Sequence, residues 1–452
     1  MAAEHRITES NPIRHLGHMD YERCAALHNE LLFRGWTGAG NEWNEPPTWW
    51  EYYSPPDALA SRLHPSLIEF LKRAYHVSRD AFKHDSKWKN LFFFIRCLAV
   101  PKDIVSLLDR DMTGPDRFLL LYISSGFMLG DEQGILFDQH TFKATYIVHV
   151  DDTTDTCLHE WGWMPLEAIL DSYLQMADEG KVSIVRDFSY EINSDNEDDE
   201  EPSIEKPWMM NPYSQTDVSK SVASLRRLIT AIESRMEEAT TTPTTKPEIP
   251  LPWHDPVTLN QAFIPPDSFA HVFLSAVSKW TVRFRYLAPG IRFPTIAEFL
   301  DQGVGELEYP GGCSLRIFQM DPEEGQGGTG SQNMRTRGLF IDNVVTRHPE
   351  YFANGSSLRL PFAIGRNRKA RMSNGQLIRV RDHDSLYQQA WLSNGIDHGH
   401  SVQIHKVLQS WAERVEEGDW VVGEDGVQGG IGKFREADTE EHWRKYWIPP
   451  SW

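Results

Sequence analysis

Cysteine is scarce: the 452 residues contain four, Cys24, Cys97, Cys157 and Cys313, and no two are spaced as Cys-x-x-Cys. This excludes a zinc knuckle and a disulfide framework and points to a reducing compartment. No run approaches the roughly 18 apolar residues of a membrane helix. The opening Met-Ala-Ala-Glu-His-Arg-Ile-Thr-Glu-Ser also lacks the apolar centre of a signal peptide. A soluble, cytoplasmic protein without a membrane partner is expected. Positive charge is the third shortage, with 45 Lys and Arg against 65 Asp and Glu, a net −20. A general nucleic-acid coat or a polybasic membrane-surface protein is excluded, because both neutralise phosphates with Lys and Arg. The length allows two or three domains with ample core.

The charge is unevenly spread. Residues 1–206 hold 19 basic and 36 acidic side chains, whereas residues 207–452 hold 26 and 29. Within the second half, residues 331–381 carry ten Lys or Arg against Asp342 and Glu350. A basic strip of +8 inside an acidic chain suits one face that meets a polyanion, or the solvated surface of a β-rich domain.

Composition divides the chain into three. Residues 1–190 read as a mixed α/β domain. A helix is expected from Ser54-Pro55-Pro56-Asp57 to about Phe82, with Leu59, Leu63, Leu67, Phe70 and Leu71 on one face. Strand-like runs follow at Phe118–Ser124 and Thr145–Val150, then a helix from Pro165 to Gly180 and a strand from Val182 to Phe188. Residues 191–252 join an acidic linker (Asp195 to Glu201), an amphipathic docking helix and a Thr/Pro-rich linker. In that helix Val218, Val222, Leu225, Ile229, Ile232 and Met236 recur every three or four residues. Residues 253–452 read as a second, α+β domain that contains the basic segment. Helices are expected at Phe269–Trp280, Thr295–Gly303 and Val402–Val415, and strands at Leu339–Val345 and Leu358–Ile364. The fold class is therefore α+β overall, with no internal repeat. Sixteen Trp residues are packing residues or stacking platforms for a base or an aromatic substrate.

The segment with chemistry is Thr145-Tyr-Ile-Val-His149-Val-Asp151-Asp152-Thr-Thr-Asp155-Thr-Cys157-Leu-His159-Glu160. Three carboxylates within five residues repel one another in a dry site, so they call for a metal, a guanidinium, an ammonium or water. A solvated acidic turn is the simplest reading. Asp-Asp-Xaa-Xaa-Asp is also the aspartate-rich motif of terpene cyclases, where it projects from a long helix and binds magnesium. Here Tyr-Ile-Val-His-Val precedes it and favours a strand. A third possibility makes His149 and Asp151 two ligands of an iron facial triad, completed by His271 with Arg283 beyond it. A non-catalytic interaction protein, with the acidic linker and Trp-rich surface as docking elements, is a fourth.

Asp151-Asp152-Thr-Thr-Asp155, followed by Trp163-Met-Pro-Leu-Glu-Ala-Ile-Leu-Asp-Ser-Tyr-Leu-Gln-Met-Ala-Asp-Glu-Gly-Lys-Val182, resembles the fungal arginine-containing cyclodipeptide synthases. That family carries an essential Asp-Asp-Xaa-Xaa-Glu motif in a chain of about this length; Asp155 stands where the family has Glu, one methylene shorter. The resemblance implies a transferase of secondary metabolism that condenses arginyl-tRNA with a second aminoacyl-tRNA to a diketopiperazine. Under it, Asp151, Asp152 and Asp155 are the catalytic candidates, and His149, Glu160 and Ser124 the further substrate-binding ones. Arg366, Arg368, Lys369, Arg371, Arg379 and Arg381 would meet the tRNA phosphates. The ester is already activated, so neither metal nor cofactor is expected, nor is a protein partner. Ser124, Ser125 and Cys157 are nucleophile candidates if an acyl-enzyme forms. Asp397-His398-Gly-His400 and Gly327-Gly-Thr-Gly330 read as loops, and Asn354-Gly-Ser356 as a sequon without use in a cytoplasmic chain.

Overall fold

The computed structural model describes residues 3–8, 10–77, 88–105, 116–125, 133–147, 163–186, 204–239, 247–302, 314–321, 337–344, 352–373, 375–378, 385–388 and 402–449. Helices and mostly antiparallel sheets, with one parallel pairing between the strands Tyr286–Ala288 and Gly426–Val427, share the chain in an α+β architecture. The described residues up to Asn211 form one compact unit, and those from Pro212 form another.

The first unit is built on five strands in sequential order: β1 (Ile95–Leu98), β2 (Phe118–Ser124), β3 (Gly134–Asp138), β4 (Lys143–Ile147) and β5 (Met164–Pro165). All four pairings are antiparallel. This sheet of the first unit is thus wholly antiparallel. The strand after the Leu166–Asp178 helix does not return to this sheet, as a βαβ crossover would. Instead β6 (Val182–Ile184) joins β7 (Ile204–Glu205) and β8 (Trp208–Met210) in a separate antiparallel sheet ordered β6-β8-β7. The Leu166–Asp178 helix packs on β4, β5 and a Tyr21–Gly38 helix, whose Cys24, Leu27 and Leu31 are fully buried.

The long helix expected from Ser54 to Phe82 is broken into Asp57–Ala60 and Pro65–Leu71. Pro65 lacks an N–H and forces the residue before it out of the helical region, and His64 is extended at ψ 141°. Leu59, Leu63, Leu67, Phe70 and Leu71 are nonetheless all buried.

In the second unit, β9 (Ile249–Pro250) pairs with β10 (Thr281–Val282). A larger sheet runs β16 (Ser385–Leu386), β15 (Gly355–Arg359), β14 (Gly338–Ile341), β13 (Leu315–Met320), β12 (Ile291–Arg292), β11 (Tyr286–Ala288), β19 (Gly426–Val427) and β18 (Val422–Gly423). A further strand, β17 (Val402–Gln403), pairs with β15. The expected strand at Leu358–Ile364 is displaced to Gly355–Arg359, because Pro361 cannot donate to a ladder. The Gln215–Ala239 helix buries Val218, Leu225, Ile229 and Ile232 and packs along the Ile404–Glu416 helix within this unit. Shorter helices at Phe269–Ala276 and Ile296–Leu300 stand where periodicity predicts them, the second opened by a Thr295–Glu298 capping box.

Candidate functional site

The first sheet has two unlike ends. At one, Asp138 accepts two bonds from the Arg117 guanidinium (3.0 and 2.8 Å), one from the His140 N–H and one from the Thr141 hydroxyl. Burial alone would push the Asp138 carboxyl up, but these donors outweigh it and hold it below its ordinary value. Gln139 is likewise satisfied, accepting from the His64 N–H and donating to the Arg62 and Asp116 carbonyls. This end is electrostatically closed.

The opposite rim is not. Register places Ile95 against Ser124, Ile123 against Gly134, and Gly134 against Ile147, so β1, β2, β3 and β4 all terminate there. The Ser124 N–H donates to the Gln133 carbonyl and the Ser125 N–H to the Phe94 carbonyl, both at 3.0 Å; the Tyr146 hydroxyl donates to the same Phe94 oxygen. Gly134 is required at the turn. Its φ is +137°, and a Cβ would lie 2.1 Å from the Tyr122 carbonyl oxygen. Ser125 Oγ and Gln133 Oε1 are buried here with no hydrogen-bond partner among the described residues. Leaving a buried polar atom unpaired costs about 1–3 kcal/mol, so two at one rim need a reason.

From this rim the chain leaves Ile147 into the acidic segment and returns at Trp163, just before β5 alongside β4. His149, Asp151, Asp152, Asp155, Cys157 and Glu160 lie outside the described residues, so the structure brings together only Ser124, Ser125 and Gln133 of the surroundings. Ser124 is 4% exposed and Ser125 1%. Trp163 packs on Phe118, with ring centroids 5.6 Å apart.

Beneath β2 runs a polar chain that the sequence reading did not contain. His28 Nε2 lies 2.9 Å from the Tyr75 carbonyl oxygen and must donate to it; Nδ1 therefore accepts from the Tyr122 hydroxyl at 3.0 Å. Burial lowers His28 to about 4, against the pull of the Tyr75 carbonyl, and raises the Tyr122 phenol. Close by, the Cys24 thiol donates to Glu167 at 3.5 Å, and burial pushes both groups up. A buried thiol held protonated is a packing group rather than a nucleophile.

In the second unit the expected phosphate-binding residues separate by their partners. Buried Asp438 clasps the loop by accepting the N–H groups of Asn367 (2.7 Å), Lys369 (2.9 Å) and Ala370 (3.1 Å). Arg366 and Arg368 project from it, exposed, with no ion pair among the described residues. Lys369 pairs with Glu440, and the Arg371 guanidinium donates to the Gly375 carbonyl and lies 5.1 Å over the Trp443 ring. Arg359 is also engaged, 3.8 Å from Asp342 and 4.1 Å over the Phe340 ring. Arg379 and Arg381 lie outside the described residues, as do His398 and His400.

His271, the third ligand of the iron reading, is 3.4 Å from Ser275 Oγ, and the Arg283 N–H donates to Glu233. Among the described residues no group of three or more His, Cys, Asp or Glu is placed to hold a metal. No described helix is long and apolar enough to cross a membrane. Compared with family models, curated proteins and solved structures, the chain matches none.

Proposed function

We propose that the protein is a tRNA-dependent aminoacyltransferase that condenses arginyl-tRNA with a second aminoacyl-tRNA to an arginine-containing diketopiperazine, in the cytoplasm and without metal or cofactor. The resemblance over Asp151–Val182 names the reaction. The observation that supports it in this chain is the rim: the acidic segment departs from the sheet edge that holds Ser124 and the unsatisfied Ser125 hydroxyl and Gln133 amide oxygen.

The chemistry needs little beyond positioning. The amine of one aminoacyl ester attacks the carbonyl of the other, and the tRNA of the attacked ester leaves through its terminal ribose hydroxyl. The free amine of the resulting dipeptidyl ester then attacks its own ester carbonyl, closing the ring and releasing the second tRNA. Each attack requires an α-ammonium, with pKa about 7.7–8.0, to lose a proton. Ionised Asp151 and Asp152 bind the guanidinium and ammonium groups by charge-assisted hydrogen bonds, with Asp155 as base or orienter. Two esters held side by side supply most of the acceleration. Arg366 and Arg368 meet the tRNA phosphates.

Asp152→Asn is expected to lower cyclic dipeptide yield by about 10²-fold or more, with the circular dichroism spectrum unchanged. Mass spectrometry of extracts from an expressing host reads this out and also identifies the second amino acid. Undiminished product from the variant contradicts the assignment. Intact-mass analysis after arginyl-tRNA addition separates the two routes, since an arginyl adduct requires a nucleophile such as Ser124 or Cys157 and its absence goes with direct aminolysis.

A further inference from the structure

A second feature of the first unit is unconnected with the acidic segment. Trp36, Trp43, Pro46, Pro47, Tyr52 and His76 line a cavity of about 140 Å³, almost wholly carbon-walled. That is well below the roughly 300–1,000 Å³ of most small-molecule sites, so it has room for one head group and not for a nucleotide or a lipid.

The rings are braced from behind. Trp36 packs on Trp88 (5.6 Å, 67°) and Trp43 on Phe33 (5.1 Å, 80°) and Tyr75 (6.1 Å, 63°). Their other surfaces are left to the cavity. Tyr52, 43% exposed at the lip, leans on His76 at 4.8 Å. Two ring nitrogens here are already used: the Trp36 indole donates to the Glu42 carbonyl (2.8 Å), and His76 Nε2 is bonded to the Tyr53 hydroxyl (3.0 Å), while the His76 backbone N–H ties this edge to the Pro47 carbonyl (2.8 Å).

Charge decides what fits. Residues 36–53 contain Glu42, Glu45 and Glu51 and no Lys or Arg. Glu45 stands between two lining residues, Asn44 and Pro46, and its carboxylate takes a hydrogen bond from the Tyr75 side chain. Neighbouring rings carry internal cations, Lys72 over Trp50 and Arg73 over Tyr21, whereas none from the described residues lies over Trp36 or Trp43. Electron-rich faces with acid at the lip attract a cation. A guanidinium would bring five N–H donors into a slot whose wall is almost wholly carbon. A methylated ammonium brings none and is held by the ring faces alone.

We propose that this aromatic cage binds a methylated ammonium group, carried either by a lysine side chain or by a free small molecule such as choline. The proposal is independent of the reaction at the sheet rim.

Isothermal titration of the full chain with choline tests it against 3,3-dimethylbutan-1-ol, the neutral isostere, and agmatine, a guanidinium. Choline is expected to bind saturably and about tenfold or more tighter than either. Tyr52→Leu, at the exposed lip, and Trp43→Leu should each weaken choline about fivefold or more; the dichroism spectrum of Tyr52→Leu confirms that this variant is folded. Equal binding of the isostere would reduce the cavity to an apolar slot and overturn the proposal. So would tighter binding of agmatine, or no saturable choline binding by the folded wild type. A trimethyllysine peptide titrated in parallel identifies the source: tighter than choline for a protein-borne group, weaker for a free one.

Discussion

His28 shows how one buried residue sets a pH dependence for a whole unit. Its folded value is about 4 against an ordinary 6.5. Between those values the unfolded chain takes up a proton that native His28 refuses, so its contribution is fully present above pH 6.5 and disappears as pH falls from 6.5 to 4. A shift of this size corresponds to roughly 3 kcal/mol. Urea midpoints are expected to drop over that window in the wild type and to change much less in His28→Leu/Tyr122→Phe, which removes both ends of the bond together. An unchanged acid slope in the double variant assigns the loss to other groups. Local sequence could not reveal this pair: its partners lie 94 residues apart and meet only when the Tyr21–Gly38 helix docks on β2.

Elements differed in how legible they were, for physical reasons. The Gln215–Ala239 helix carries a 3.6-residue apolar stripe that survives in the fold, because one face packs on the Ile404–Glu416 and Phe269–Ala276 helices and the edge of the large sheet. β2 is buried along nearly its whole length and reads as a continuous apolar run. The 54–82 stripe was equally regular, yet Pro65 at a helix start overrode it. Pairing was not legible at all. Period and propensity do not report partners, so the antiparallel order β1 to β5 is not legible; Ser124 and Ser125 are legible as nucleophile candidates at a strand end, but not as neighbours of Gln133 and Gly134. Gly134 makes the rim of that sheet testable. Gly134→Ala meets backbone rather than a movable side chain, at 2.1 Å from the Tyr122 oxygen, in a conformation that L-residues avoid. It should destabilise by more than about 1 kcal/mol in chemical denaturation. Full stability would mean that the start of β3 shifts at little cost and that Gly134 does not hold Ser125 and Gln133 in place.

At the scale of the whole molecule, the net −20 repels a polyanion everywhere except where cations are both concentrated and unpaired. The +8 of residues 331–381 overstates what is available, because counting cannot separate a guanidinium that faces solvent from one committed within the fold. Asp342 and Phe340 engage Arg359, Glu440 engages Lys369, and Trp443 lies under Arg371, while Asp438 fixes the backbone that projects Arg366 and Arg368. The two free arginines should therefore dominate tRNA binding among the described cations. Each phosphate contact contributes about one unit to the slope of log affinity against log salt, so Arg366→Ala/Arg368→Ala is expected to lower that slope by about two and to weaken tRNA binding uniformly across sequences. Lys369→Ala should change it less, since Lys369 is already committed to Glu440. Filter binding of arginyl-tRNA across a salt series distinguishes them. A slope unchanged in the double variant would place the tRNA on another face of the molecule and leave Arg366 and Arg368 as solvated surface.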